Sequence, residues 1–155
     1  MTIKTNFYSP IDCMRVSTGF INGEKAKYEE TRVPLKIDLG KNKFGAVLKP
    51  YQILAMRDLW ANPDGRSSRD VYDAVNEAME GKGSISRASI INTLNALVDD
   101  GVLGYHEITG KGGHRRIYKP NYNEKDFKQF IAETVLRKLL HDFPEETRIA
   151  LQKIG

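Results

Sequence analysis

Cysteine is almost missing from this chain, which carries one, Cys13. A lone thiol can close no internal disulfide and can build no cysteine-rich metal site, and it fits a reducing compartment. Long apolar runs are missing too. No stretch approaches the roughly 20 residues that a membrane-spanning helix needs. The opening MTIKTNFYSPID lacks the basic block and following apolar block of a signal peptide, so a cytoplasmic protein with no membrane association is expected. Histidine is scarce, and His106, His114 and His141 are scattered and far from Cys13. No phosphate loop, zinc-ligand spacing or nucleophile elbow occurs. No catalytic residue, metal or cofactor is therefore expected, and no enzyme activity.

What is present is that of an ordinary globular protein: 155 residues, 40% hydrophobic and 28% charged. That length suits one domain with a real core, with or without a small appendage, and excludes two large ones. The net charge of +4 is modest but unevenly spread. Residues 1–49 hold nine Lys/Arg against five Asp/Glu, and residues 82–120 hold six against three. Between them, residues 50–81 hold three against six, and the closing residues 121–155 balance at six against six. The basic surplus thus falls in two blocks.

Taken in order, residues 1–49 show turn signals and two-residue alternation. Met14, Val16, Thr18 and Phe20 alternate before Asn22-Gly23, a type I′ hairpin pair. Val33, Leu35, Ile37 and Leu39 alternate as well, and Gly40 to Lys43 could turn that strand back into Phe44 to Leu48. A small β-rich extension is expected, either as a functional arm or as cover for one edge of the main domain.

At Pro50 the period changes to that of a helix. Pro50 suits a first turn, Ile53, Met56, Leu59 and Trp60 form one face, and Asn62 to Gly65 stops it. A second helix follows, with Ser67 or Ser68 as N-cap and Asp70 in the first turn, where a carboxylate suits the positive helix end. Val71, Tyr72, Val75 and Met79 form its inner face, and Gly81 suits the left-handed C′ position.

Ser86 is placed to cap a third helix with a core stripe of Ile90, Leu94, Leu97 and Val98, stopped by Gly101. Its other side carries Arg87, Ala88, Ile91, Asn92 and Asn95. Asn can pair with adenine and Arg with guanine in the major groove, so this face suits base reading, although an Asn-rich solvated side would look the same. A hairpin follows, with a strand from Val102 to Ile108, a flexible turn from Thr109 to Gly113 and a return strand from His114 to Lys119. Lys111, Arg115, Arg116 and Lys119 give it the charge that DNA phosphates attract, with His114 a phosphate or solvent contact. Asn123 caps a long closing helix with apolar residues from Phe127 to Phe143, and Pro144 starts a short one. Such a stripe must be buried on its own domain or on a second copy.

ILAMRDLW, SSRDVYDAVNE, ISRASIINTLNALVDDGVL, RRIYKP and the helical tail, in that order, resemble the penicillinase repressor family of winged-helix regulators, over roughly residues 50–155. The resemblance implies an α+β fold: a winged helix-turn-helix DNA-binding domain over residues 50–120, C-terminal dimerisation helices over 121–155, and the β-rich N-terminal extension outside the family pattern. It implies a homodimer that binds a palindromic operator in double-stranded DNA and represses transcription. The resemblance places Ser86, Arg87, Ser89, Asn92 and Thr93 in the groove-facing part of the recognition helix. Together with Asn95 and the wing residues Lys111, His114, Arg115 and Arg116, they form the expected DNA-binding set.

The chain departs from the family in three ways. Ala96, Asp99 and Asp100 stand where basic residues are common. The paired cysteines of the copper-responsive branch are absent, which argues against copper sensing. The first 49 residues could add a DNA contact through Lys41 and Lys43, a partner surface, or structural cover. The acidic end of the third helix supports an alternative, a winged-helix module that binds protein in a transcription or assembly complex. An effector-responsive regulator is a further variant, for which the sequence specifies no ligand.

Overall fold

The computed structural model describes Thr5, Asn6 and residues 35–155, which form an α+β arrangement of five α-helices and a small antiparallel sheet. Helix α1 (Pro50–Ala61) begins on proline, whose missing N–H is no loss in a first turn. Gln52 Oε1 accepts the Lys49 N–H at 2.8 Å, satisfying an end donor. Where α1 ends, Asp58 receives both arms of the Arg66 guanidinium, from Nε at 3.1 Å and Nη2 at 3.2 Å. That fork sets the path of β2 (Arg66–Ser67), a strand too short to show a period in the sequence.

Gly65 admits β2 to the sheet. Its φ is +111°, and a Cβ there would meet Ile117 Cγ2 at 2.6 Å, so the turn needs glycine for both conformation and space.

Ser67 then caps α2 (Ser68–Ala78), its hydroxyl donating to Asp70 Oδ2 at 2.7 Å while accepting the Asp70 N–H at 3.3 Å. Asp70 returns the contact by accepting the Ser67 N–H at 3.1 Å, which completes a capping box. The Ser67 hydroxyl is the main cause holding the Asp70 carboxyl below the usual carboxylate range, against a smaller opposing effect of burial. Val71 and Val75 enter the core. The helix stops sooner than Gly81 suggested: Met79 is the C-cap, and the left-handed Gly81 comes two residues later.

Helix α3 (Arg87–Asp99) is capped by Ser86, which accepts the Ser89 N–H at 3.1 Å. It ends at Asp100 with left-handed Gly101 just beyond. Strands β3 (Leu103–Gly110) and β4 (Gly113–Pro120) form a hairpin whose turn is only Lys111 and Gly112, shorter than the turn expected over Thr109 to Gly113. With β1 (Thr5–Asn6) the sheet order is β1-β3-β4-β2, antiparallel at every pairing.

The closing helices are α4 (Glu124–Asp142), capped by Asn123, and α5 (Pro144–Ile154). Phe127, on the first turns of α4, is fully buried beside Phe44, Trp60 and Phe130, with ring centroids 5.8, 5.8 and 6.3 Å away. Residues from before α1, from α1 and from α4 therefore share one aromatic cluster, and the Trp60 indole N–H donates to the Tyr122 carbonyl at 2.9 Å.

The expected strands over residues 35–48 do not form. Lys43–Ala46 is a turn of 3-10 helix, entered with Lys43 at φ 53°. Strand alternation would have put Leu35, Ile37 and Leu39 on one face, yet Leu35 is buried and Leu39 is 94% exposed. The tight turn instead delivers Phe44 to Trp60 and Phe127, and burial of that ring outweighs a weak local strand preference. The hairpin expected around Asn22-Gly23, and Val33, lie outside the described residues.

Candidate nucleic-acid interface

Two sides of α3 have different fates. Ile90, Thr93, Leu94 and Leu97 are buried against the rest of the domain. Ala88, Asn92 and Asp99 are exposed on the opposite side, with Ser89, Ile91 and Asn95 half-buried at its borders. A spacing of three and four residues produces this division, because it returns side chains to one helix face.

The structure separates the expected site residues into three groups. Arg87 and Asn92 are exposed, and no hydrogen bond or ion pair engages either side chain among the described residues. Ser86 and Ser89 are mutually engaged, with hydroxyls 2.9 Å apart, and Ser86 also serves as the cap, so both are committed to starting the helix. Thr93 does not face outward. Only 4% exposed, it accepts from Gln52 Nε2 and donates to the Tyr51 hydroxyl, both at 3.4 Å, and so fastens α3 to α1. The expectation that Thr93 faces a groove is corrected: three residues after Ile90 and four before Leu97, it falls on the core stripe.

On the hairpin, the pairing of Gly110 with Gly113 fixes which side chains share a face. Tyr105, Glu107 and Thr109 lie with Tyr118, Arg116 and His114, whereas His106 and Ile108 lie with Ile117 and Arg115. Arg116 is consequently occupied. Its Nε lies 3.6 Å from Glu107 Oε1, its Nη1 donates to Asn95 Oδ1 at 3.1 Å, and its Cζ sits 4.3 Å from the Tyr105 ring centroid. An exposed ion pair alone is worth about 0–1 kcal/mol. Adding the amide and the ring gives the guanidinium three partners that fix its direction.

The Tyr118 hydroxyl donates to the same Asn95 Oδ1 at 2.9 Å. Burial raises the Tyr118 pKa, against a smaller opposing pull from Arg116, so the phenol stays a neutral donor. This network of Tyr105, Glu107, Arg116 and Tyr118 around Asn95 ties hairpin to helix, and composition and period do not reveal it. Its signal is register, which assigns Glu107 to Arg116 once the turn is known.

His114 Nδ1 lies 3.1 Å from the Thr109 hydroxyl across the hairpin. Lys111 at the tip and Arg115 on the other face are exposed, and neither forms an ion pair among the described residues. Arg115 also adds a minor attraction to Asp70 at the start of α2. Of the expected DNA-binding residues, the cations without an ion pair among the described residues are thus Arg87, Lys111 and Arg115, while Arg116 is offset by Glu107.

Among the described residues, no group of three or more His, Cys, Asp or Glu side chains is placed to hold a metal ion. No helix among them is long and apolar enough to cross a membrane. The chain matches no family model, no curated protein and no solved structure.

Proposed function

We propose that this chain is a winged-helix regulator that binds double-stranded DNA as a homodimer, in the manner of the penicillinase repressor family. The observation that carries the reading is the open side of α3, where small and amide residues flank a hairpin with Lys111 at its tip. The order α1, β2, α2, α3, β3, β4, with β2 paired to β4, suits a helix-turn-helix whose third helix enters the major groove while the hairpin lies along the backbone. Asn92 can offer both donor and acceptor to a base edge. Arg87, Lys111 and Arg115 supply charge to phosphates.

The homodimer part of the reading rests on the far end of α4 and on α5. Leu136, Leu139, Phe143, Ile149, Leu151 and Ile154 are exposed there, with Phe143 at 58% and Ile154 at 84%. An apolar surface of this kind suits a second copy, and two-fold symmetry suits a palindromic operator. Repression in the cytoplasm follows from operator occupancy, with no catalysis, cofactor or metal involved.

Asp99 favours a second reading. It stands exposed on the same side as Asn92, where its charge repels phosphate and would suit a basic protein partner. Fluorescence anisotropy separates the two. DNA binding predicts that labelled duplexes bind at low salt and dissociate as salt rises. Asn92→Ala then weakens binding to a selected operator by roughly tenfold while sparing random duplex. A chain that binds no duplex at low salt refutes the DNA reading.

A further inference from the structure

The Asn95 amide is held in one orientation. Arg116 is a donor only, so the Asn95 atom that faces its Nη1 at 3.1 Å must be the carbonyl oxygen. Tyr118 donates to the same oxygen at 2.9 Å from a buried ring. With two donors on it, Oδ1 is filled. Nδ2 makes no hydrogen bond among the described residues, and no buried side-chain nitrogen or oxygen there lacks a partner, so the Asn95 amino group keeps some contact with solvent. Asn95 borders the open side of α3, one turn from Asn92.

These facts divide two residues that look alike in the sequence. A free Asn can pair with adenine, accepting from N6 and donating to N7, which requires both ends of the amide. Asn92 keeps both ends. Asn95 has lost its acceptor to the hairpin and retains two N–H donors.

We propose that Arg116 and Tyr118 lock Asn95 as a donor-only reader, which selects the acceptor edge of guanine, N7 and O6, at one base position in each half-site. The inference rests on the DNA reading above and deepens it. Cytosine presents only a donor in the major groove, adenine sets a donor beside its acceptor, and thymine offers a single acceptor, O4, beside its methyl group, so guanine alone gives both N–H groups of the Asn95 amide an acceptor. Arg116 and Tyr118 are thus positioning residues, which act on the base through Asn95.

The test is selection from a pool of duplexes with a randomised centre, using the full chain and two variants. Wild type is expected to enrich guanine at one position per half-site. The double change Arg116→Met and Tyr118→Phe keeps much of the packing but frees Oδ1. It should raise adenine relative to guanine at that position by roughly tenfold and leave other positions as they were. Asn95→Ala, on a partly exposed helix side, should abolish preference at that position alone. A consensus that neither variant alters at any single position overturns the assignment while DNA recognition stands. A wild-type chain that enriches no duplex removes the DNA reading and this inference with it.

Discussion

Arg115 and Arg116 are adjacent in sequence, yet they should differ in how they govern the salt dependence of duplex binding. Each phosphate neutralised on B-DNA contributes about 0.9 to the slope of log affinity against log salt. Between about 50 and 200 mM salt, one such contact changes affinity by roughly 3.5-fold. Arg115 forms no ion pair among the described residues and stands on the hairpin face away from Glu107. Arg115→Ala is therefore expected to lower the slope by about 0.9. Arg116 already lies 3.6 Å from Glu107, so its removal leaves an unpaired carboxylate and frees little counterion. Arg116→Ala should move the slope by less than about half of that amount. Anisotropy titrations on one random-sequence duplex at several salt concentrations measure both, and random sequence keeps Asn95 base reading out of the comparison. Equal losses of slope, or a larger loss for Arg116, would refute the claim that Glu107 neutralises it.

Phe127→Ala removes a fully buried ring at the centre of the aromatic cluster and should cost about 3–5 kcal/mol. Urea unfolding measures it, and a loss below about 1.5 kcal/mol would show that the start of α4 is not integral to the core. The depressed pKa of Asp70 means that its contribution to stability is present above the unfolded pKa, near 4 on the ordinary scale, and is lost as pH falls through the lower folded value. The stability difference between wild type and Asp70→Asn should accordingly shrink on acidification, and a difference that stays constant down to about pH 2 would contradict the assigned cap. Sedimentation should find a dimer at micromolar concentration and a monomer for Phe143→Glu, whose ring is 58% exposed. Wild type sedimenting as a monomer would remove the second copy as occupant of that face.

Local chemistry made much of the framework legible in the sequence. Pro50, Ser67, Ser86 and Asn123 mark helix starts because capping needs only residues within one turn, and all four mark the start of a helix in the structure. Gly101 marks a stop for the same reason, since a left-handed residue at C′ is a local requirement. The buried stripe Ile90, Leu94 and Leu97 follows from helical period. Thr93 shares that stripe, so its burial was readable from spacing although the family resemblance implied a groove-facing position.

Tertiary structure alone decided the rest. Phe44 left its expected strand because its partners Trp60 and Phe127 come from elements far away in sequence. Whether Asn95 keeps an acceptor and whether Arg116 keeps a free charge both depend on hairpin register. A turn over Thr109 to Gly113 would set Glu107 opposite Arg115, whereas the turn at Lys111 and Gly112 sets it opposite Arg116. Because side chains alternate between faces along a strand, one residue of register changes which guanidinium meets the helix. Sequence determined by itself where the helices begin and which side of α3 is buried, since those depend on neighbours along the chain. The chemistry of the open side was decided by contacts between α3 and β4, which exist only once the hairpin has closed.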